Sequence, residues 1–222
     1  MDQSISHNAN SKEFDDQSGG ESHSERQREV LSVVLELMVE EGDGFSMAKV
    51  ARRAKCSKET LYNWFGDRDG LLTATVQWQA SRVVMPVMQA EGLSREAFEN
   101  GLTEFAMSWL TVITGDVSIA LNRAAVSHAG SGKTNLGAIV LLNGPFAMAM
   151  RLGSIFKIGQ SAGLISYKDE REVFKTFFGL VVGDVQIRAL LGDAIKPKKS
   201  EIQKSAALAA GQFLRLYASK EN

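Results

Sequence analysis

Residues 46–72 read SMAKVARRAKCSKETLYNWFGDRDGLL, and their spacing decides the fold. Ser46 is an N-cap whose hydroxyl accepts from a first-turn N–H. Met47, Val50 and Ala51 follow at i, i+3 and i+4, which predicts a short helix over 47–53 with one apolar face. Ala54, Lys55 and Cys56 make a turn. Ser57 caps a second helix, Lys58 to Trp64, that points Leu61 and Phe65 inward and leaves Lys58, Glu59, Tyr62 and Asn63 outward. Gly66 ends it as the residue after the C-cap, and Asp67 caps a third helix with Arg68 in its first turn. Two helices, the second too short to stand alone, joined by a turn of about three residues, form a helix-turn-helix.

Lys49, Arg52, Arg53, Lys55 and Lys58 fall in ten residues with no acid among them, on a chain of formal net charge −1. Binding nucleic acid through one face needs such local asymmetry rather than a high overall pI. A solvated charged face on an ordinary helix pair would read the same way.

The residues themselves carry more. Ser57-Lys58-Glu59-Thr60-Leu61-Tyr62-Asn63-Trp64-Phe65 and Gly66-Asp67-Arg68-Asp69-Gly70-Leu71-Leu72 resemble the signature of the TetR family of bacterial transcriptional regulators. Phe45-Ser46-Met47 and Val50-Ala51 upstream fit as well, so the likeness covers roughly residues 25–75. Two positions depart from the pattern: Trp64 stands where the family usually has His, and Lys55 where the turn usually has Gly. Further on, Leu121-Asn122-Arg123, the Gly144-Pro145 break and the stretch Gly179-Leu180-Val181 through Gly183-Asp184 to Arg188-Ala189-Leu190-Leu191-Gly192 are similar to the C-terminal domain of AefR-like regulators.

The resemblance implies that Lys58 to Trp64 enters the DNA major groove. Phosphate contacts position such a helix and base contacts specify sequence. Tyr62 matches the position whose phenol meets phosphate, Thr60 one near the backbone and a thymine methyl. Arg68 replaces the usual Lys at the next helix N-terminus, where free N–H groups also favour phosphate. Lys58, Glu59 and Asn63 are the base-edge candidates, suited to guanine, cytosine N4 and adenine respectively. Glu59 equally suits the positive end of its own helix. Trp64 is expected against the first helix, with its N–H near backbone or phosphate. With Ser46 and Lys49, these residues make the expected DNA-binding set.

Size and composition fit this reading. The chain has 222 residues, 44% of them hydrophobic, with 3 Pro and one Cys. It can bury a sizeable core, forms no internal disulfide, and suits a reducing cytoplasm. No basic region followed by an apolar run opens the chain, and no uninterrupted apolar run reaches the length of a membrane span. Gly132-Lys133-Thr134 looks like the end of a P-loop, but the Gly required five residues earlier is Ser127, so nucleotide binding is rejected. His7, His23 and His128 lack metal-ligand spacing, and no Gly-x-Ser-x-Gly elbow is present. Neither metal nor cofactor is called for.

In chain order, residues 1–23 are rich in Ser, Asn, Asp and Gln and are expected to be disordered. Their acids outnumber Lys12, so a basic minor-groove arm is limited to Arg26 and Arg28. Ser24 and Gln27 form a capping box for a helix over 25–41 with Val30, Leu31, Val34, Leu37 and Met38 on one face. The helix opening at Asp67 is expected to run toward Met85-Pro86. Helices follow over 95–114, 116–128, 134–162 with a break at Asn143-Gly144-Pro145, 168–191 and 199–219. No period-2 run appears. The expectation is an all-α chain of nine or ten helices: a tail (1–23), a helix-turn-helix domain (24–70), and a helical ligand-binding and dimerisation domain (71–222).

Phe105, Trp109, Phe146, Met148 and Met150 are candidates to line a cavity, Met being adaptable, with Asn122, Asn143, Arg123 and His128 as polar candidates. The resemblance implies a pocket between the middle helices of this body. The last two helices carry broad apolar faces, which suits a dimer made from two copies. Phe174, Phe178, Val181 and Phe213 are its expected contacts, with Asp184 and Arg188 pairing at i, i+4. Together these point to a homodimeric regulator, most simply a repressor, that binds a partly palindromic duplex and is released by a small apolar effector. Control by a protein partner, or a small hydrolase using the cavity, are the alternatives.

Overall fold

The computed structural model describes residues 23–130, 135–193 and 196–219. The expected disordered tail, apart from His23, and the Gly132-Lys133-Thr134 stretch lie outside these. The described residues fold as an all-α protein; their only β feature is an isolated bridge between Ile165 and Ala218.

Helix α1 (Glu25–Glu41) opens on the Ser24–Gln27 capping box. Helices α2 (Met47–Arg53) and α3 (Lys58–Phe65) follow, with Ser46 and Ser57 accepting from the amides of Lys49 and Thr60. Asp67 caps α4 (Arg68–Ser81) through the Gly70 amide. Val30, Leu31, Val34, Leu37 and Met38 of α1 meet Val50, Leu61, Leu71 and Leu72 in one core. Helix α4 ends at Ser81, short of the expected Met85-Pro86, because Arg151 holds its carboxyl end. That half-buried guanidinium donates to the carbonyls of Ala80 (3.1 Å) and Val83 (2.5 Å), and burial pulls its pKa below the usual value.

The body comprises α5 (Arg95–Ile113), α6 (Asp116–Ser127), α7 (Leu136–Leu141), a π-helical segment (Leu142–Phe146), α8 (Ala147–Ser161), α9 (Glu170–Val182), α10 (Val185–Leu190) and α11 (Lys199–Tyr217). Its core is aromatic. Phe156, Phe177 and Phe213 pack with centroids 5.1–5.8 Å apart, all fully buried. The helix expected over 168–191 is two helices, because Gly183 adopts φ +49° and closes α9. Glycine alone reaches that region without a Cβ penalty.

The run Leu136–Ser161 is long and apolar enough to cross a membrane by composition, which the sequence reading passed over. Its Met148, Leu152, Ile155 and Phe156 are buried in the core of the body, whereas Leu141, Leu142, Phe146 and Met150 are more than half exposed, so the run is buried along one face only.

Helix α6 lies along α1, so head and body share a surface. The first hydrophobic core accordingly runs on into Leu121, Ala124 and Ala125 of α6 and Leu136 and Ile139 of α7.

Candidate DNA interface and effector cavity

The turn between α2 and α3 keeps its geometry without glycine. Lys55 takes φ +52°, the one non-glycine residue at positive φ among the described residues. Its conformation is held by the bond from the Cys56 amide to the Ala51 carbonyl (2.9 Å). Arg26 clamps the turn from outside, donating to the carbonyls of Ala54 (2.5 Å) and Lys55 (3.1 Å). The minor-groove role considered for Arg26 is therefore replaced by a structural one: its guanidinium is spent on the turn and on Glu29.

Helix α3 presents Lys58, Glu59, Tyr62 and Asn63 to solvent, while Leu61 and Phe65 are buried. Thr60 is half-buried, and its hydroxyl lies 2.8 Å from that of Ser57. Trp64 is half-buried and meets Phe65 edge-on at 6.2 Å. The basic cluster is partly neutralised. Lys49 pairs with Glu41 at 2.6 Å, and Arg53 with Glu36 at 3.0 Å and with Glu40. The Arg53 hydrogen bond holds the Glu40 carboxyl below its ordinary pKa. Arg52, Lys55 and Lys58 form no ion pair among the described residues; Lys58 opens α3, and Lys55 lies in the turn before it.

Arg68 does not point freely from its helix terminus. It donates to the Asp43 carbonyl, lies 3.7 Å from the Asp43 carboxylate, and covers the Phe45 ring at 5.5 Å. Asp43 is 9% exposed, and its other oxygen lies 3.0 Å from His128 Nε2 at the end of α6. A buried carboxylate needs such partners. Here they join the loop after α1, the start of α4 and the end of α6. His128 is thus a head-to-body contact and not a ligand contact. Asn135 to Asp69 (2.6 Å) and Gln77 to Asn143 (3.0 Å) also bridge α4 and the body.

Within the body, a partly open cavity of about 110 Å3 is lined by α4, α5, α6, the end of α7, the π segment with the start of α8, and the α9–α10 corner. Of the pocket candidates, Trp109 and Asn122 line it. Four other candidates do not. Phe105 is fully buried in the aromatic core. Asn143 donates to the Ile139 carbonyl at 2.9 Å and faces Gln77. Phe146 and Met150 point to solvent, 54% and 73% exposed. The cause is the π segment, whose extra residue per turn rotates α8 relative to α7. Continuing the inward face of α7 (Leu136, Ile139) at helical spacing gives 143, 146 and 150; the buried face of α8 is instead Met148, Leu152, Ile155, Phe156 and Gly159. Arg123 also lies away from the cavity, donating to the carbonyls of Ala189 and Leu190 at the end of α10 (2.7 and 3.1 Å).

Sequence reasoning missed Gln79 and Ser118. The signal was present: Gln79 sits three residues after Val76 on the inward face of α4, a polar residue in an apolar row. Its Nε2 donates to Ser118 Oγ at 3.1 Å.

Three expected dimer contacts, Phe213, Phe178 and Val181, lie within the protomer. Phe213 is internal core, stacked on Phe156. Phe178 lines the cavity, packed on Trp109 at 5.5 Å. Val181 is buried and Phe174 half-buried within the same protomer. Asp184 and Arg188 lie 3.7 Å apart at the surface, although Arg188 sits closer to Asp193 at 2.6 Å.

Comparison with known proteins agrees with this architecture. Residues 100–219 match the AefR-like transcriptional repressor C-terminal domain. No curated protein matches the chain. Among solved structures, a TetR transcriptional regulator from Agrobacterium tumefaciens is 37% identical, with a TM-score of 0.77, over 89% of this chain and 97% of that one. A TetR-family regulator from Mesorhizobium loti (24% identity, TM-score 0.71, 87% and 96% coverage) and the flavonoid-responsive regulator FrrA (22%, 0.66, 88% and 98%) share the fold. The chain belongs to the TetR family of DNA-binding transcriptional regulators and carries an AefR-like C-terminal domain.

Proposed function

We propose that the chain works as a homodimeric repressor in the cytoplasm, with a head over residues 24–70 and a sensing body over 71–222. Two α3 helices would enter successive major grooves of a partly palindromic operator. Lys58, Glu59 and Asn63 read base edges; Tyr62, with Thr60 beside it, meets phosphate. Ser46 and Lys49 hold the start of α2, and Trp64 backs α3. Arg68 acts by fixing the α4 start to the α1–α2 loop. A small, mostly apolar effector in the cavity releases the DNA.

One observation carries the effector reading. The cavity is walled by α4, which runs directly from the head, and by α6, which lies along α1. A ligand there shifts the head only if it binds the two head arrangements with different affinity. The dimer reading rests on Ile187 of α10, Leu191 at its C-cap, and Leu208 and Leu216 of α11, all more than half exposed. Such a surface is what a partner copy covers. Phe174, Asp184 and Arg188 would join it at the edge.

The test is fluorescence anisotropy on a duplex selected from a random pool. Tyr62→Phe should weaken binding to all sequences alike, whereas Lys58→Ala should also change sequence preference. Equal losses on matched and mismatched duplexes would remove Lys58 from base reading. Met148→Trp, which fills the cavity, should abolish release by effector while leaving DNA binding and helicity intact. Induction that survives this substitution would favour a protein partner, for which the exposed row Leu141, Leu142, Phe146 and Met150 is the available surface.

A further inference from the structure

The cavity's polar chemistry is uneven. Of its lining side chains, Gln79, Ser118, Asn122 and Gln186 are polar and none is ionisable. The amide of Gln79 is more than nine-tenths buried. Its nitrogen is used on Ser118 Oγ, but its oxygen is buried with no hydrogen-bond partner among the described residues. Asn122 is differently placed, its nitrogen donating to the Ser118 carbonyl at 2.8 Å. A buried acceptor left unpaired is costly, and native structures fill such positions with a partner. The surroundings are Val76, Val83, Trp109, Val112, Met148 and Phe178, an apolar and aromatic lining. An apolar cavity of about 150 Å3 accepts benzene; at about 110 Å3 and partly open, this one takes no more than a single ring, with a substituent at its open side.

We infer that the effector is a neutral, single-ring aromatic compound bearing one hydrogen-bond donor, of the phenol class, whose O–H donates to Gln79 Oε1. This rests on the reading of the cavity as the effector site and names the class it takes. A carboxylate is disfavoured: no lining side chain is cationic, and Arg151 behind the wall is spent on the carbonyls of Ala80 and Val83, so the charge would be left without a partner. A ring without a donor fits the lining but leaves Gln79 unpaired. Sites built to bond a hydroxyl discriminate strongly against the analogue that lacks it. Gln79 also places recognition on α4, so occupancy acts directly on the helix that carries the head.

The test uses the full chain and calorimetric titration with 4-methylphenol, p-xylene, 4-methylbenzonitrile and 4-methylbenzoate. The first two are near-isosteres, and p-xylene is the more apolar, so a cavity without an acceptor ranks p-xylene first. The proposal predicts that 4-methylphenol binds about tenfold tighter than p-xylene, about 1.4 kcal/mol. 4-Methylbenzonitrile, an acceptor only, and 4-methylbenzoate bind worst. Gln79→Met should remove the preference for 4-methylphenol without weakening p-xylene. Ser118→Ala, which leaves the Gln79 oxygen in place, should retain it. If the rings bind with p-xylene or the nitrile first, or if Gln79→Met weakens both isosteres equally, the phenol class is overturned while the cavity remains an effector site. If none of the four binds, the phenol class is overturned, while the effector reading of this cavity is decided separately by the Met148→Trp release assay.

Discussion

Replacing Asp43 by Ala tests how the head is fastened to the body. The carboxylate is 9% exposed, accepts from His128 Nε2 at 3.0 Å, and sits 3.7 Å from Arg68. A hydrogen bond to a charged group contributes about 1.5–3 kcal/mol net. Arg68 keeps part of its anchorage in the variant, because it also bonds the backbone carbonyl of residue 43 and covers Phe45. The expected loss is therefore set by the His128 bond plus a weakened ion contact, about 2–3 kcal/mol. For a chain of this size each kcal/mol lowers Tm by about 2–4 °C, so calorimetry should record a fall of about 4–12 °C. A double-mutant cycle with His128→Ala isolates the pair from the other contacts of each residue. Its coupling should be about 1–2 kcal/mol. The effector's ability to release DNA should also weaken in both variants, because α6 both lines the cavity and ends at His128. Additive losses, with coupling below about 0.3 kcal/mol, would show that Asp43 and His128 are neighbours without a shared role, and the latch would be discarded.

Further outcomes follow from other contacts. Lys55→Gly should stabilise the protein by about 1 kcal/mol, since φ +52° strains an L-residue by about 1–2 kcal/mol and glycine's added chain entropy offsets part of the relief; a denaturant midpoint that falls would contradict it. Glu36→Gln with Glu40→Gln should release Arg53 toward DNA, tightening non-specific binding and steepening the salt slope by up to about 1. Acid should act in the same direction: Glu40's carboxyl is held below its ordinary pKa in the fold, so the tie is complete above that ordinary value and is lost as pH falls through the folded one. Gly159→Ala would bring a Cβ to 2.3 Å from the fully buried Phe98 ring. Overpacking of about 1–3 kcal/mol should outweigh the helix-propensity gain of about 1 kcal/mol, and Phe98→Leu should recover the loss on chemical denaturation.

The head was legible because its information is local. Ser24, Ser46, Ser57 and Asp67 each cap the helix that follows, and Leu61 and Phe65 face inward at the spacing read from sequence. Lys55 shows the limit of that reading, since only the fold reveals that lysine tolerates the glycine position. The body was less legible because its information is not local. Pro145 reads as a break, yet it sits inside a π turn that keeps the helix going and changes its phase, and Phe146 and Met150 were misassigned for that reason. Phe213 belongs to a broad apolar face, and periodicity cannot tell a protomer's own core from a surface shared with another copy. Arg68 looked like a phosphate contact because Asp43, its partner, is 25 residues away.

The central claim is that the α3 face reads DNA sequence and the body governs it. Anisotropy of the full chain on a pool-selected duplex, with salt titrated, tests this most directly. The account predicts saturable binding about a thousandfold tighter than to random duplex, falling steeply as salt rises, with the selected sites containing two half-sites about one helical turn apart. Binding equal to that on random DNA, with no sequence enriched, would contradict it.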